Sequence, residues 1–254
     1  MAKTSPSGTS IDSIKTQSDS CPTATDDPLA LDFCDLPDLI TRFEELKTIE
    51  SPDFEKLYNT ANVAHKITQK TKNKSEEIKY LKEARLSALA AHEVKPDDFS
   101  ALKILCSATG KLAEESSMTD RIRLGFEFKD YLDKANAMCR DSYEMLHMRA
   151  RFHYHVCTLS MAERLIGKTF GLIPECSLEQ ATADFLQAER VESDCPENAY
   201  FLGKTYLAAG NREEARKWIQ KTASADPNEY EADNAGMIED ARALLQSDTF
   251  RDGS

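Results

Sequence analysis

The chain has 254 residues, 41% hydrophobic and 30% charged, with 44 acidic against 32 basic side chains and a net charge of −12. That length can bury a core, but the charge density points to a thin one drawn out along a stack rather than a sphere. The acidity argues against a nucleic-acid binder, whose footprint is basic. No uncharged apolar run approaches the ~18 residues of a membrane span, and no apolar stretch of a signal peptide follows the start.

Eleven of the first thirty residues are Ser or Thr, with Pro6, Pro22 and Pro28 among them. Residues 1–34 are therefore expected to form a disordered, acidic tail. Ser51-Pro52 reads as a cap followed by proline in the first helical turn, and Ala61, Ala64 and Ile67 supply an apolar face. A second helix carries Leu81, Ala84, Ala88 and Ala91 on one stripe, and Pro96-Asp97-Asp98 opens a third that is expected to end near Thr109. A helix from about Thr119 to Cys139 is expected to bury Ile122, Phe126 and Leu132. From Asp141 one long helix is expected to run through Leu146, Ala150, His153, Leu159 and Leu165, followed by the loop Gly171-Leu172-Ile173-Pro174. Ala181, Phe185 and Ala188 then repeat a small–aromatic–small pattern at i, i+4 and i+7.

The strongest signal comes last. Counting Pro196 as position one, Leu202-Gly203, Tyr206, Ala215 and Pro227 fall at the spacing of a tetratricopeptide repeat. Each has a packing reason: Gly203 admits the partner helix, Tyr206 fills the groove, Ala215 sits at the crossing and Pro227 ends the second helix. The expectation is an all-α chain of roughly eight helices in a tetratricopeptide-like right-handed superhelix of antiparallel pairs. Its limits are residues 35–248, with 249–254 a disordered C-terminus.

Sequence patterns that could carry chemistry are weak. Seven cysteines are scattered without a Cys-x-x-Cys pair, which suits reduced thiols. His153 and Cys157 stand four apart on a helix, but four converging metal ligands are lacking; the plainer reading makes His153 a groove residue and Cys157 a small buried hydrophobe. Gly167-Lys168-Thr169 matches the end of a phosphate loop, yet Ala162 occupies the place of its first glycine and a helix precedes it where a strand is needed. Neither a catalytic grouping nor a cofactor is expected, and the chain reads as a non-enzyme.

Charge is segregated. Residues 1–50 carry a net of −6 and residues 151–254 a net of −7, whereas residues 51–150 carry +1. Lys66, Lys70, Lys72, Lys74, Lys79, Lys82 and Arg85 gather about the tip of the first full hairpin, against Glu76, Glu77 and Glu83. This cluster is a candidate docking surface for an acidic partner; the plainer alternative is a solvated helix surface.

Ser160-Met161-Ala162-Glu163-Arg164, Phe170-Gly171-Leu172-Ile173-Pro174, Ala181 to Phe185, Tyr200 to Tyr206 and Ala215-Arg216-Lys217-Trp218 together resemble the regulator of microtubule dynamics family. Leu57-Tyr58, Ala61 to His65, Phe128-Lys129, Leu132 and Ala135 extend the likeness towards the N-terminus. The resemblance implies a tetratricopeptide-like domain in the cytoplasm that associates with microtubules, spindles and spindle poles and affects chromosome segregation. It makes tubulin the acidic partner of the Lys66–Arg85 hairpin and mitotic regulatory proteins further partners. Other members sit on mitochondria and tether or exchange lipid with the endoplasmic reticulum, so a lipid-binding or tethering adaptor is the alternative. The lack of an N-terminal anchor favours the soluble branch.

Three smaller features complete the reading. Asp32-Phe33-Cys34-Asp35-Leu36-Pro37-Asp38 is similar to an acidic phenylalanine motif that docks on endoplasmic-reticulum receptors, with Leu36 replacing a small residue; the alternative is an acidic helix start on which Phe33 packs. Lys204 is the one residue assignable to a carboxylate clamp of a peptide-docking adaptor. Ser5-Pro6 is a proline-directed phosphorylation pattern in the tail.

Overall fold

A computed structural model describes residues 31–50 and 53–250. Residues 1–30 of the expected tail, with Ser5-Pro6, Ser51-Pro52 and residues 251–254, lie outside them, whereas Leu31–Phe33, counted with the tail, form a 3₁₀ turn, and Phe250, counted with the disordered C-terminus, is buried. Among the described residues there are eleven α-helices and no strand: α1 (Leu36–Thr48), α2 (Phe54–Lys70), α3 (Lys74–Val94), α4 (Phe99–Glu114), α5 (Met118–Met138), α6 (Tyr143–Cys157), α7 (Met161–Phe170), α8 (Leu178–Val191), α9 (Pro196–Ala208), α10 (Arg212–Ala223) and α11 (Ala232–Gln246). Short polar side chains set most of the starts. Asp35, Asp53, Asn73, Asp98, Ser117, Ser142, Ser160, Ser177 and Asn211 each accept a hydrogen bond from an amide of the first turn.

Successive helices pair antiparallel from α1 to α5, and α8 to α11 continue the stack, with α6 packed on α8 and α7 laid against α5. The stripes read from sequence are the buried ones: Ala61, Ala64 and Ile67, then Leu81, Ala84, Ala88 and Ala91, then Ala181, Phe185 and Ala188 are all fully buried. Leu31 and Phe250 are buried too, so the packed body reaches both ends of the described chain. Arg149 on α6 grips the buried Asp184 of α8 through Nε and Nη2, at 2.6 and 2.7 Å. This bidentate pair fixes one helix against the other in a single register.

Three expectations need correction. α4 does not stop at Thr109; it passes through Gly110, where an added Cβ would lie 3.2 Å from the Phe128 ring, and ends at Glu114. Phe126 is only half-buried, and Phe128 takes the core position on α5. The long helix expected from Asp141 is two helices. Ser160 and Glu163 form a capping box, with Glu163 Oε2 accepting the Ser160 amide at 2.8 Å. Arg164 meanwhile donates to the carbonyls of Val156, Cys157 and Leu159 at 3.2, 3.1 and 3.2 Å, closing the end of α6. The segment Leu159-Ser160-x-x-Glu163-Arg164 is thus a helix break written in six residues.

In the C-terminal repeat, an added Cβ on Gly203 would stand 2.6 Å from Ile219 Cδ1 and 3.2 Å from the Ile219 amide nitrogen, so α9 and α10 meet at a distance only glycine permits. Ala215 is fully buried at the same crossing. Pro227 does not end α10, which stops at Ala223; Arg242 caps it by donating to the Ala223 and Ala225 carbonyls, both at 3.0 Å, and Pro227 opens a 3₁₀ turn. Gly203→Ala is expected to destabilise the fold by about 1–3 kcal/mol in chemical denaturation, because the α10 backbone must retreat. Gly236→Ala in α11, where the added methyl meets open space, is expected to be neutral or stabilising; equal effects of the two would refute the close-approach argument.

Candidate functional site

The stack closes on itself. Lys70 of α2 donates to Glu231 at 2.8 Å, and Lys111 of α4 pairs with Asp233 of α11, so the last helix meets the second and fourth. A groove of about 760 Å³ lies inside, bounded by α2, α4, α5, α6 and α7. Its floor is apolar, with Ile104, Phe126, Phe128, Met148, Phe152 and Ile173.

Two groups of charged side chains line it, beside the Lys103–Glu144 and Arg121–Glu163 pairs. In one, His65 Nε2 shares a hydrogen bond of 2.8 Å with Ser107 Oγ. Burial, reinforced by Lys111, Lys66 and Lys103, pushes the imidazole down to about 3, so it stays neutral among cations. In the other, Arg151 of α6 is paired with Glu114 of α4 and Glu197 of α9, and its guanidinium stacks 4.2 Å from the Phe201 ring centre. His155 Nε2 lies 3.0 Å from Glu114 and His147 Nε2 lies 3.7 Å from Glu197, both without hydrogen-bond alignment; His147 is oriented instead through Nδ1, 3.1 Å from Asn198 Oδ1. Burial opposes ionisation of Glu114, but Arg151 and His155 outweigh it and hold the carboxyl down at about 2. Arg151 and His147 depress Glu197 still further against its own burial. None of these residues formed a motif in the sequence; Arg151 is visible there only as a charge between Ala150 and Phe152 on a helix.

The candidate cations from the sequence are dispersed rather than gathered. Lys66 lines the groove. Lys70 holds Glu231, Lys74 bridges Glu77 and Glu115 at 2.9 and 2.7 Å, and Arg85 pairs with Glu127. Lys72, Lys79 and Lys82 are exposed, and among the described residues no carboxylate pairs with them; Lys79 lies over the Tyr80 ring at 4.7 Å. Lys204 is enclosed by Phe201, Tyr200 and Tyr154 at 5.1, 5.2 and 5.4 Å. Phe33 does not pack on α1 as expected; it is 93% exposed, Leu31 fills the buried place, and Asp35 caps the helix. His153 accepts the Ser177 amide at 3.4 Å through Nδ1, and Cys157 meets Cys176. Among the described residues no group of three or more His, Cys, Asp and Glu is arranged to hold a metal, and no helix is long and apolar enough to cross a membrane. Cys34, Cys106, Cys157, Cys176 and Cys195 are free thiols, whereas Cys139 is disulfide-bonded, against the expectation of a wholly reduced set.

Glu114 titrates lower in the folded chain than its ordinary 4.5, so its stabilising contribution is complete above about pH 5 and is lost as the pH falls towards 2. Arg151→Met is expected to cost roughly 3 kcal/mol at pH 7, because two carboxylates lose their partner. The same variant should flatten the acid limb of the midpoint-against-pH curve, and an unchanged limb would remove the triad from the account.

The family model for regulator of microtubule dynamics proteins 1–3 matches residues 35–248. A nematode protein, regulator of microtubule dynamics protein 1 of Caenorhabditis elegans, is 28% identical over 191 residues, 75% of this chain and 83% of its own length. Regulator of microtubule dynamics protein 3 of Rattus norvegicus is 30% identical over 183 residues, 70% of this chain and 38% of its own. Protein 1 of Bos taurus is 27% identical over 209 residues, 81% of this chain and 64% of its own. The chain therefore spans most of the nematode relative but less than two thirds of these mammalian ones. With the family model matched from α1 through α11, the chain belongs to the regulator of microtubule dynamics family.

Proposed function

We propose that the protein is a non-catalytic, microtubule-associated regulator acting in the cytoplasm at spindle microtubules and spindle poles during chromosome segregation. The observation that carries this reading is membership of a family named for microtubule dynamics, matched over residues 35–248. The charge pattern supports it: an acidic chain of net −12 keeps uncompensated lysines at the α2–α3 hairpin, where an acidic tubulin surface would be attracted and the acidic ends would turn away.

Lys72, Lys79 and Lys82 are the proposed contacts from the original set; Lys66, Lys70, Lys74 and Arg85 act at its margins, since the last three are engaged within the fold. Lys72→Glu/Lys79→Glu/Lys82→Glu keeps those ion pairs and is expected to weaken microtubule co-sedimentation severalfold, with the wild-type interaction weakening as salt rises. Unaltered, salt-insensitive binding by the triple variant would reject this surface.

A second reading, a lipid-binding or tethering adaptor at membrane contacts, is favoured by one observation: the 760 Å³ groove is lined by apolar and aromatic side chains together with charged ones, a lining an amphiphile would fill. Organic extraction of the purified protein followed by mass spectrometry is expected to release a phospholipid in near-stoichiometric amount on this reading. A groove that yields none, and takes up none from vesicles, would reject it.

A further inference from the structure

Cys157 is the last residue of α6, and Cys176 directly precedes Ser177, the cap of α8. Between them the chain leaves the α6–α8 pair, runs along α5 as α7, and returns. That return lays the two thiols side by side, the Ser177 amide next to Cys176 reaching His153, one turn before Cys157, at 3.4 Å. Both are half-buried, neither sealed in the core nor open to every solute. The backbone on each side is held: Arg164 binds the Cys157 carbonyl at 3.1 Å, and His153, one turn earlier on α6, accepts the Ser177 amide at 3.4 Å. Cys106, by contrast, is fully buried in the core.

The excursion that these cysteines bracket is a wall of the groove. Glu163, Gly167, Ile173 and Pro174 face the interior. The other side of α7 and its loop is uncovered, with Met161 83%, Leu165 69% and Leu172 94% exposed. The excursion therefore has a partner on one side only, and its base is the place where a single bond would restrain it most.

We propose that Cys157 and Cys176 form a site of reversible oxidation, a disulfide that fastens the α7 excursion at its base and so fixes one wall of the groove.

The oxidant is hydrogen peroxide. The Cys176 sulfur attacks one peroxide oxygen, the O–O bond breaks, and the leaving oxygen departs as water with the thiol proton, leaving a sulfenic acid on Cys176. The Cys157 sulfur then attacks the Cys176 sulfur, the S–O bond breaks, and hydroxide leaves as a second water with the Cys157 proton. Two thiols lose two electrons and one peroxide gains them. Burial and the adjacent sulfur push the Cys157 thiol up to about 12, which keeps it protonated and slow towards peroxide and alkylating agents, so the first oxidation falls to Cys176 and the closing step relies on the proximity of the two sulfurs. A thiol reductant reverses the bond.

The test uses the full reduced chain, treated with hydrogen peroxide, capped with N-ethylmaleimide and digested with trypsin without reduction. A cross-link between peptide 152–164 and peptide 169–190, two hydrogens lighter than their sum and lost on adding dithiothreitol, is expected. Hydrogen exchange across residues 161–170 should slow severalfold on oxidation. Cys176→Ser should abolish both effects, and Cys157→Ala serves as an independent second variant. Oxidation that consumes both thiols singly, with no cross-linked peptide, would overturn the proposal. A cross-link that leaves exchange in 161–170 unchanged would overturn the fastening of α7. Neither outcome depends on whether the chain binds microtubules or lipid.

Discussion

The buried guanidinium of Arg151 is the constraint around which the two halves of the stack are organised. It stands on α6, where the regular pairing of neighbours is interrupted, and reaches Glu114 from the N-terminal half and Glu197 from the C-terminal half. Apolar contact does most to join each helix to its sequence neighbour, but little of it runs between α4 and α9. A planar cation with several donors can satisfy two carboxylates from different helices at once, and the Phe201 ring beneath it keeps solvent from competing. Charges in such a position fix a register more than they add stability, since their desolvation consumes most of the attraction. Glu114, Arg151 and Glu197 also line the groove, so the same side chain that joins these helices bounds the space between them.

Helix starts, buried stripes and the C-terminal repeat were legible because each is a local pattern. A short polar residue before an apolar periodicity gives a start; Ala, Leu and Phe at spacings of three and four give a face; Gly203 opposite a β-branched partner gives a crossing. The break between α6 and α7 was legible in principle, as Ser160 with Glu163 three residues on, but the apolar periodicity running through Leu159 and Leu165 masked it. α4 runs past the end expected near Thr109, and Gly110 stands within it, packed against the Phe128 ring.

The groove was not legible at all. Its charged lining is built from residues that are ordinary helix-surface charges in sequence and meet only through the tertiary path, with Glu114, Arg151 and Glu197 each on a different helix. The lysine cluster shows the converse. Seven cations within twenty residues looked like one surface, yet the folded chain draws Lys70, Lys74 and Arg85 to carboxylates on other elements and turns Lys66 inward. Sequence proximity on a hairpin measures neither exposure nor pairing.

The contact of α11 with α2 and α4 changes what kind of object the repeat stack is. Helical repeats joined only to their neighbours flex like a spring, each interface yielding a little. Here α11 is latched to α2 and α4 by the ion pairs Lys70–Glu231 and Lys111–Asp233, while neighbouring helices share apolar packing as well as ion pairs. Dissolved salt screens the first kind of contact and, for excluded ions such as sulfate, reinforces the second. Rising salt would thus loosen that latch more than the packed neighbours, and the way into the interior is a seam between α11 and the helices α2 and α4.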